Sequence, residues 1–221
     1  MNLDLTCIII IHNAWRLAHR SIGSVLSQTI LPRKLILLIT SGIDEEYDFF
    51  KSYETFHNVE VVKSHRKLTC WESKSLAADL NCTKCFFTLD SDDYIAPTYI
   101  ESLDQLLKTN HIVGSDYWNV GIDGFHVKNS YSDLELSKHN VMHCASIINR
   151  DAYYIAGGYE NVIHEDWHLF AKLQLKGFKL YNVPIPLFYY VRSSTSFSNY
   201  LDKIKGRQQI EHLFASANLF L

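Results

Sequence analysis

The residues with the greatest potential for chemistry are the carboxylates of Asp90-Ser91-Asp92-Asp93, which directly follow the apolar run 86–89. A short run rich in Phe and Leu is typical of a buried strand. Three carboxylates at its end repel one another, and a bound Mg²⁺ or Mn²⁺ removes that cost. Ligands of open α/β sheets bind at this end of the strands. The motif therefore predicts a metal-diphosphate site, with a solvated Asp-rich turn as the alternative.

A second acidic motif lies within His164-Glu165-Asp166-Trp167-His168. Read as H-E-x-x-H, it has the pattern of zinc metallopeptidases, in which two His bind Zn²⁺ and the Glu activates water. Gly157-Gly158 interrupts the helix that such a motif usually extends, and no third ligand can be identified downstream. The competing interpretation places Glu165 and Asp166 in the first turn of a helix, either as a charged cap or with one carboxylate as a general base.

The elements that must position these motifs alternate between strands and helices in the first half of the chain. This alternation predicts an α/β fold with a parallel, doubly wound sheet. We expect a helix after the first strand, with Leu17, Ile22, Val25 and Leu26 on its inner face. The other predicted elements are strands at 6–11, 35–39, 59–62 and 86–89 and helices at 44–56 and 71–80.

The second half of the chain is less regular, and residues 117–140 show no clear period. The pattern predicts helices at 97–108, 165–176 and 200–220 and strands at 141–148, 178–183 and 187–191.

Composition limits the classes of protein. The 221 residues are 47% hydrophobic and 20% charged, which suits one globular domain over 1–221. The net charge of −3 argues against a nucleic-acid partner. No apolar run reaches the ~20 residues of a membrane span, and the first residues lack a positive region, so we expect a cytoplasmic location. Among the five cysteines, Cys7 and Cys144 are predicted to be small core residues.

Four stretches, in this order, resemble the inverting glycosyltransferases of family 2, which have the nucleotide-binding GT-A fold. The resemblance covers about residues 5–198 and implies a nucleotide-binding half over 1–93 and an acceptor-binding half with a C-terminal helix over 94–221. The four stretches are the opening strand and helix at 8–29, the D-x-D-D at 90–93, Gly157-Gly158-Tyr159 followed by Glu165-Asp166-Trp167, and the closing segment 189–198 with Ser196 and Ser198.

The resemblance implies transfer of a sugar from a nucleotide-diphosphate donor, best matched by a UDP-sugar, to a hydroxyl of a glycan or glycoprotein. Asp92 and Asp93 would hold Mn²⁺ or Mg²⁺, and Asp166 would be the general base with Glu165 beside it. Trp167 would stack on the acceptor sugar, unless it is a core residue. The implied donor-binding residues are Ile11, His12, Asn13, Thr40, Lys74, Asp90, Ser91 and Arg192.

Three positions depart from the family pattern. Thr40-Ser41-Gly42 stands where many relatives carry Asp-Asp-Gly-Ser, which leaves the nucleotide less defined. Lys74 replaces the usual Arg, which keeps the charge and loses the bidentate fork. Arg192 lies where some relatives place a metal-binding His, and it would pair with the diphosphate or form a salt bridge at the rim.

Other classes of protein remain open at this point. A nucleotidyltransferase with a similar fold would need a Gly-rich triphosphate loop near the N-terminus, and the sequence has none. A non-catalytic module that binds sugar nucleotides would not need Asp166. The Ser-rich segment 193–200 is predicted to form a mobile lid over the donor.

Overall fold

Strands and helices alternate along the first half of the computed structural model, as the sequence predicts. The structure describes residues 3–121, 126–127, 136–192 and 203–218. A short 3₁₀ helix, Ser52–Thr55, follows the second helix, so the single helix predicted at 44–56 is divided in two. The first half contains β1 (Leu3–Ile11), α1 (Ala18–Leu26), β2 (Pro32–Ile39), α2 (Asp44–Lys51), β3 (Val59–Lys63), α3 (Cys70–Leu80) and β4 (Cys85–Asp90).

The second half mixes short strands with helices. The elements of this half are β5 (Tyr94–Ile95), α4 (Tyr99–Asp104), β6 (Ile112–Val120), β7 (His126–Val127), β8 (Ile147–Asn149), α5 (Arg150–Ile155), α6 (Glu165–Leu175), β9 (Leu180–Val191) and α7 (Lys203–Asn218). A second 3₁₀ helix, Gln105–Lys108, follows α4 directly.

The described strands form one sheet in the order β3-β2-β1-β4-β8-β6-β9-β5, with β7 paired to β6. Strands β3, β2, β1 and β4 are parallel to one another. Strand β8 runs antiparallel between β4 and β6, and β6 and β9 pair in parallel. The predicted fold class is therefore confirmed as a single α/β domain with a mostly parallel central sheet between helices.

Alternating side chains of β1 and β2 fill two apolar layers, one on each face of the sheet. Cys7 and Ile9 pack with residues of α1, whereas Ile8 packs with residues of α3, α5 and α6. A strand that is buried on both faces reads as a continuous apolar run, which is why β1 was predictable. No helix among the described residues is both long and apolar enough to cross a bilayer.

The parallel half places the carboxyl ends of β1, β2 and β4 along one edge of the sheet. The backbone N–H of Thr40, just after β2, donates to the carbonyl of Ile11 at the end of β1, at 2.8 Å. Ile10 is in register with Asp90, the last residue of β4. The first acidic motif therefore lies beside the turns that follow β1 and β2, as expected for parallel strands.

Several predicted elements are wrong in detail. The strand predicted at 141–148 is formed only from Ile147 onwards, and the two strands predicted at 178–183 and 187–191 are the single strand β9. Strand β6 was not predicted. Leu17, predicted on the inner face of the first helix, precedes α1 and is 51% exposed. The proposed lid at 193–200, which includes Ser196 and Ser198, lies outside the described residues.

Candidate active site

The acidic loop after β4 is held by the first helix of the chain. The buried Ser21 of α1 donates its hydroxyl to the carbonyls of this loop, with Ser91 O at 2.8 Å and Asp93 O also in contact. The guanidinium of Arg20 donates to Asp92 O at 2.9 Å. These contacts fix the backbone, so the carboxylates cannot move apart to relieve their repulsion. Neither Ser21 nor Arg20 was predicted as a site residue.

Burial and mutual repulsion disfavour ionisation in this loop. Burial, reinforced by the charge of Asp90, raises the pKa of Asp92 to about 6. Burial and the same neighbouring carboxylates raise the pKa of Asp93 well above its ordinary value. One oxygen of Asp93 accepts the N–H of Val191 at 2.8 Å, while its other oxygen, Oδ2, is buried with no partner among the described residues. A divalent cation would satisfy this oxygen and offset the repulsion.

A sulfur atom lies beside two carboxylates of the predicted metal site. Among the described residues, one carboxylate oxygen each of Asp90 and Asp93 and the sulfur of Cys144 form a group whose atoms lie within 4.8 Å of one another. Cys144, predicted to be a small core residue, is half-buried and packs against the core beside these carboxylates. Asp92, predicted as a metal ligand with Asp93, is not part of this group. Oxygen atoms dominate the set, which suits Mn²⁺ or Mg²⁺.

The second acidic motif begins α6 and faces a buried lysine of α3. The ammonium of Lys74, whose side chain is 3% exposed, lies 2.8 Å from Glu165 Oε1 and also contacts Asp166 Oδ2. The thiol of Cys70 donates to the same oxygen of Glu165 at 3.0 Å. Within the part of the chain that the structure describes, Asp166 Oδ1 is buried without a partner. Lys74, predicted to contact the donor, is therefore paired with the carboxylates of α6.

The two carboxylates of α6 differ in acidity because their surroundings differ. Burial opposes ionisation of Glu165, but Lys74 and the hydrogen bond from Cys70 outweigh it and lower the pKa of Glu165 to about 2. For Asp166, burial and the neighbouring charge of Glu165 outweigh the attraction of Lys74 and raise its pKa to about 6. Two adjacent groups whose pKa values are pushed apart are typical of an acid–base site.

Local features of the chain fix where α3 and α6 begin. Thr69 and Glu72 form a reciprocal capping box, which starts α3 one turn before Lys74. His164 precedes α6 with φ 59°, a left-handed conformation that reverses the chain and puts Glu165 and Asp166 in the first helical turn. A helix N-terminus attracts negative charge, which favours both carboxylates there.

The turns after β1 and β2 form the other wall of the site. Asn13 has φ 52°, and the N–H groups of Asn13 and Ala14 donate to the buried carboxylate of Glu46 at 3.2 and 2.8 Å. The hydroxyl of Thr40 lies 3.2 Å from His12 Nδ1. His12 is half-buried and Asn13 exposed, so both can reach a ligand. Glu46, which holds this turn, was not predicted.

Two residues that were predicted to bind the sugar-nucleotide donor, Ile11 and Arg192, differ in the hydrogen-bonding groups that they have free. The side chain of Ile11 is fully buried, and its carbonyl already accepts the N–H and the hydroxyl of Thr40. Arg192, just after β9, is half-buried, and within the described residues its Nε is buried without a partner. Arg192 therefore has an unused donor, whereas Ile11 positions the turn.

Trp167 lies in the core below the second motif. It is 7% exposed, and its indole N–H donates to Leu136 O at 2.7 Å. Little of the ring is left for a sugar, which favours the alternative that Trp167 is a core residue. The H-E-x-x-H interpretation is not supported either, because Glu165 is held by Lys74 and Cys70. No metal-ligand group of three includes His164 or His168 among the residues that the structure describes.

The fold and the two carboxylate sites together define an α/β protein of GT-A type. The model of the family described as "Glycosyl transferase family 2" matches residues 6–161, and the chain therefore belongs to that family of glycosyltransferases. A comparison with curated proteins finds no match. The matched residues include the acidic loop after β4 and end before Glu165.

Solved structures of glycosyltransferases share the fold. S. aureus TarS 1-349 in complex with UDP-GlcNAc is similar with a TM-score of 0.81 and 12% identity over 97% of this chain and 66% of that chain. The mannosyltransferase PcManGT from Pyrobaculum calidifontis, in complex with GDP-Man and Mn²⁺, gives a TM-score of 0.71 and 14% identity over 90% and 60%. The chain thus spans less than two thirds of either neighbour. The membership decides against the peptidase and nucleotidyltransferase alternatives.

Proposed function

We propose that this protein transfers a sugar from a UDP-sugar to a hydroxyl of a glycan or glycoprotein acceptor, with a divalent metal and with inversion at the anomeric carbon. The observation that carries the proposal is the pairing of two carboxylate sites at one sheet edge. Asp90 of the acidic loop lies near enough to Asp166 to contribute to its raised pKa. Direct transfer of the sugar requires that the nucleotide site and the base lie in one cleft.

The base of the proposed reaction is Asp166. With a pKa of about 6 it is ionised at neutral pH, yet it is basic enough to accept a proton in the transition state. Its Oδ1 is buried and has no partner among the described residues, so its capacity to accept a hydrogen bond is left for an acceptor hydroxyl. Glu165, whose pKa is about 2, stays ionised as the counter-ion of Lys74 and is poorly suited to take the proton.

Single displacement then gives inversion. The acceptor oxygen bonds to the anomeric carbon while its proton passes to Asp166 Oδ1. The bond from that carbon to the phosphate oxygen breaks, and its electron pair leaves with the nucleoside diphosphate. No side chain forms a covalent intermediate, which agrees with the presence of a single carboxylate suited to act as a base.

The proposed contacts with the donor come from the turn after β1, the acidic loop and Arg192. His12 and Asn13 would face the nucleoside, and Asp90 with Ser91 the ribose. The unpartnered Nε of Arg192 suits a phosphate oxygen. Thr40 is fully buried and its hydroxyl already donates to Ile11 O, so it supports the turn, and the choice of UDP rests on the resemblance to the family.

The acidic loop fits a divalent cation. Asp92, although it lies outside the group of Asp90, Asp93 and Cys144, would hold Mn²⁺ or Mg²⁺ together with Asp93, since Asp93 Oδ2 is an orphaned buried oxygen and the pKa of both carboxyls is raised. The neighbour PcManGT was solved with Mn²⁺. When bound, the cation neutralises the charge that develops on the departing diphosphate.

Calorimetric titration with UDP, GDP and TDP, each with and without Mn²⁺, tests this proposal. We expect Mn²⁺-dependent binding of UDP in preference to the other two nucleotides, because metal and phosphates complete each other's coordination. Asp92→Ala should abolish the metal dependence. Asp48→Ala, which removes an exposed carboxylate of α2, is the matched control and should bind as the wild type does.

Each outcome has a distinct meaning. Binding of GDP in place of UDP would overturn the donor assignment and keep the class of reaction. If none of the three nucleotides binds in the presence of Mn²⁺, the proposed function is wrong. Hydrolysis of UDP-GlcNAc, followed by release of UDP, then provides the activity assay, with water as the acceptor.

A further inference from the structure

A buried lysine between two carboxylates is the most unusual charge arrangement at this site. We propose that Lys74 is a positioning residue for the catalytic base: its ammonium group holds Asp166 Oδ2, so that Oδ1 is directed to the acceptor hydroxyl. This inference rests on the proposed function. It also replaces the expectation that Lys74 contacts the donor diphosphate.

The hydrogen bonds of the cluster leave one oxygen for chemistry. Glu165 Oε1 receives both the ammonium of Lys74, at 2.8 Å, and the thiol of Cys70, at 3.0 Å. Asp166 gives one oxygen to Lys74 and retains Oδ1 without a partner. A carboxylate held by one oxygen has a fixed orientation for the other, which a freely rotating Asp would lack.

The charge of Lys74 is matched within the cluster. Lys74 is 2% exposed, and an isolated ammonium group at that depth would lose its proton. Glu165 remains ionised and supplies the permanent counter-charge, so the attachment of Asp166 to Lys74 survives when Asp166 is protonated. The lysine thus remains in place through the catalytic cycle.

Other charged or titratable groups face the same cluster from the neighbouring elements. Asp90 at the end of β4 contributes negative charge that raises the pKa of Asp166. The ring of Tyr159, before α6, lies 6.0 Å from Lys74 Nζ. Cys144, before β8, interacts with both Lys74 and Asp166. Lys74 is the only cation that acts appreciably on Asp166 among the residues that the structure describes.

The test compares Lys74→Met and Lys74→Arg with the wild type in UDP-GlcNAc hydrolysis. We expect Lys74→Met to lower kcat roughly 10- to 100-fold, because Asp166 loses its orientation, with KM for the donor and UDP affinity unchanged. Lys74→Arg restores a cation of different shape and should recover part of kcat. A raised donor KM and weaker UDP binding at unchanged kcat would overturn the proposal in favour of a donor contact.

Lys172→Met is the matched control for loss of a buried lysine. Lys172, on α6, is 8% exposed and pairs with Glu160 and with the carbonyl of Gly158, away from Asp166. Its replacement should leave kcat per folded molecule unchanged. The double variant Lys74→Met/Glu165→Gln removes one charge of each sign and keeps the cluster balanced if the single variant fails to fold. Full kcat in this double variant would show that Lys74 does not position the base.

The pH profile gives a readout that a purely structural role would not move. Lys74 lowers the pKa of Asp166, so Lys74→Met should shift the acidic limb of kcat/KM to higher pH. NMR titration of ¹³C-labelled Asp carboxyls follows the same pKa without turnover. If the wild type binds no nucleotide, the proposed function fails, while this titration still decides whether Lys74 controls Asp166. An unshifted pKa in Lys74→Met would contradict the inference.

Discussion

At the scale of single residues, the two adjacent carboxylates of α6 show how environment assigns roles. Glu165 and Asp166 follow one another in the chain, yet the pKa of the first is lowered to about 2 and that of the second raised to about 6. Lys74 contacts both and their side chains are similarly buried, so the difference comes from the thiol of Cys70 on Glu165 and from the charges of Glu165 and Asp90 near Asp166. Sequence alone cannot separate them, because Cys70 and Lys74 lie more than ninety positions away.

This difference predicts unequal effects of two isosteric substitutions. Asp166→Asn should lower the rate of UDP-GlcNAc hydrolysis roughly 10²- to 10⁴-fold with UDP binding retained, because the general base is lost. Glu165→Gln should cost less, since it removes only a partner of Lys74. For the wild type, activity should fall as the pH decreases through about 6, where Asp166 becomes protonated. Initial rates and calorimetry on the same preparations measure both properties, and full activity of Asp166→Asn would refute the base assignment.

At the scale of elements, α1 and the residues just after it, within the segment 8–29 that resembles the family, hold the acidic loop in place. Ser21 holds the carbonyls of the loop, and Gln28 bridges to the segment that follows β5. The side-chain amide of the buried Gln28 donates to Ala96 O at 2.7 Å and accepts the N–H of Ile100 at 3.0 Å. Ser21 and Gln28 therefore have a structural role that involves no ligand.

Gln28→Ala should destabilise the fold by about 1–3 kcal/mol, because it removes the acceptor of the buried N–H of Ile100 and one of the two donors to Ala96 O, the other being the N–H of Tyr99. Urea unfolding at neutral pH measures the free energy of unfolding. Thr29→Ala is the control, because the hydroxyl of the neighbouring Thr29 donates to Glu101 of α4 at an exposed position. We expect the control to change stability by less than about 0.5 kcal/mol. Equal effects of the two substitutions would contradict a bracing role of Gln28.

The elements also show which parts of the fold were predictable. Strands β1, β2 and β4 are buried on both faces and read as apolar runs, so they and the acidic loop were identified. Strand β6 was missed because it carries buried polar residues, including Ser115 and Asp116, which mask its period. Asp116 accepts from Asn182 of β9 at 2.8 Å, a partner that no local pattern shows.

Strand β9 was divided in the prediction because of its prolines. In the structure it runs on through Pro184 and Pro186, and the pairing with β6 shifts register at Asp116, where Pro186 lies opposite. A register shift is a place where a strand tolerates a residue without an N–H. The site was predictable as two acidic motifs, whereas Ser21, Glu46 and the pairing of Lys74 with α6 follow only from the fold.

At the scale of the whole molecule, the buried imidazole of His143 joins the strands of the second half. Its ring stacks on Phe188 of β9 at 4.2 Å, and its Nε2 accepts the N–H of Ser115 of β6 at 3.3 Å. Tyr99 of α4 lies 6.2 Å away, ring to ring. Burial lowers the pKa of His143 to about 3, so this junction requires a neutral ring.

The junction makes the stability of the molecule depend on pH. In the unfolded chain His143 titrates near its ordinary value of 6.5, so the unfolded state binds the extra proton first as the pH falls. The stabilisation that neutral His143 gives to the fold is therefore complete above pH 6.5 and is lost progressively as the pH falls from there towards about 3. From the two pKa values, the free energy of unfolding should be about 2 kcal/mol lower at about pH 5 than at about pH 7.5. His143→Gln, which keeps an acceptor for Ser115 and cannot be protonated, should lose less stability over the same interval by that amount. Urea unfolding of both proteins at the two pH values measures this difference, and equal losses would show that another group controls the acid sensitivity.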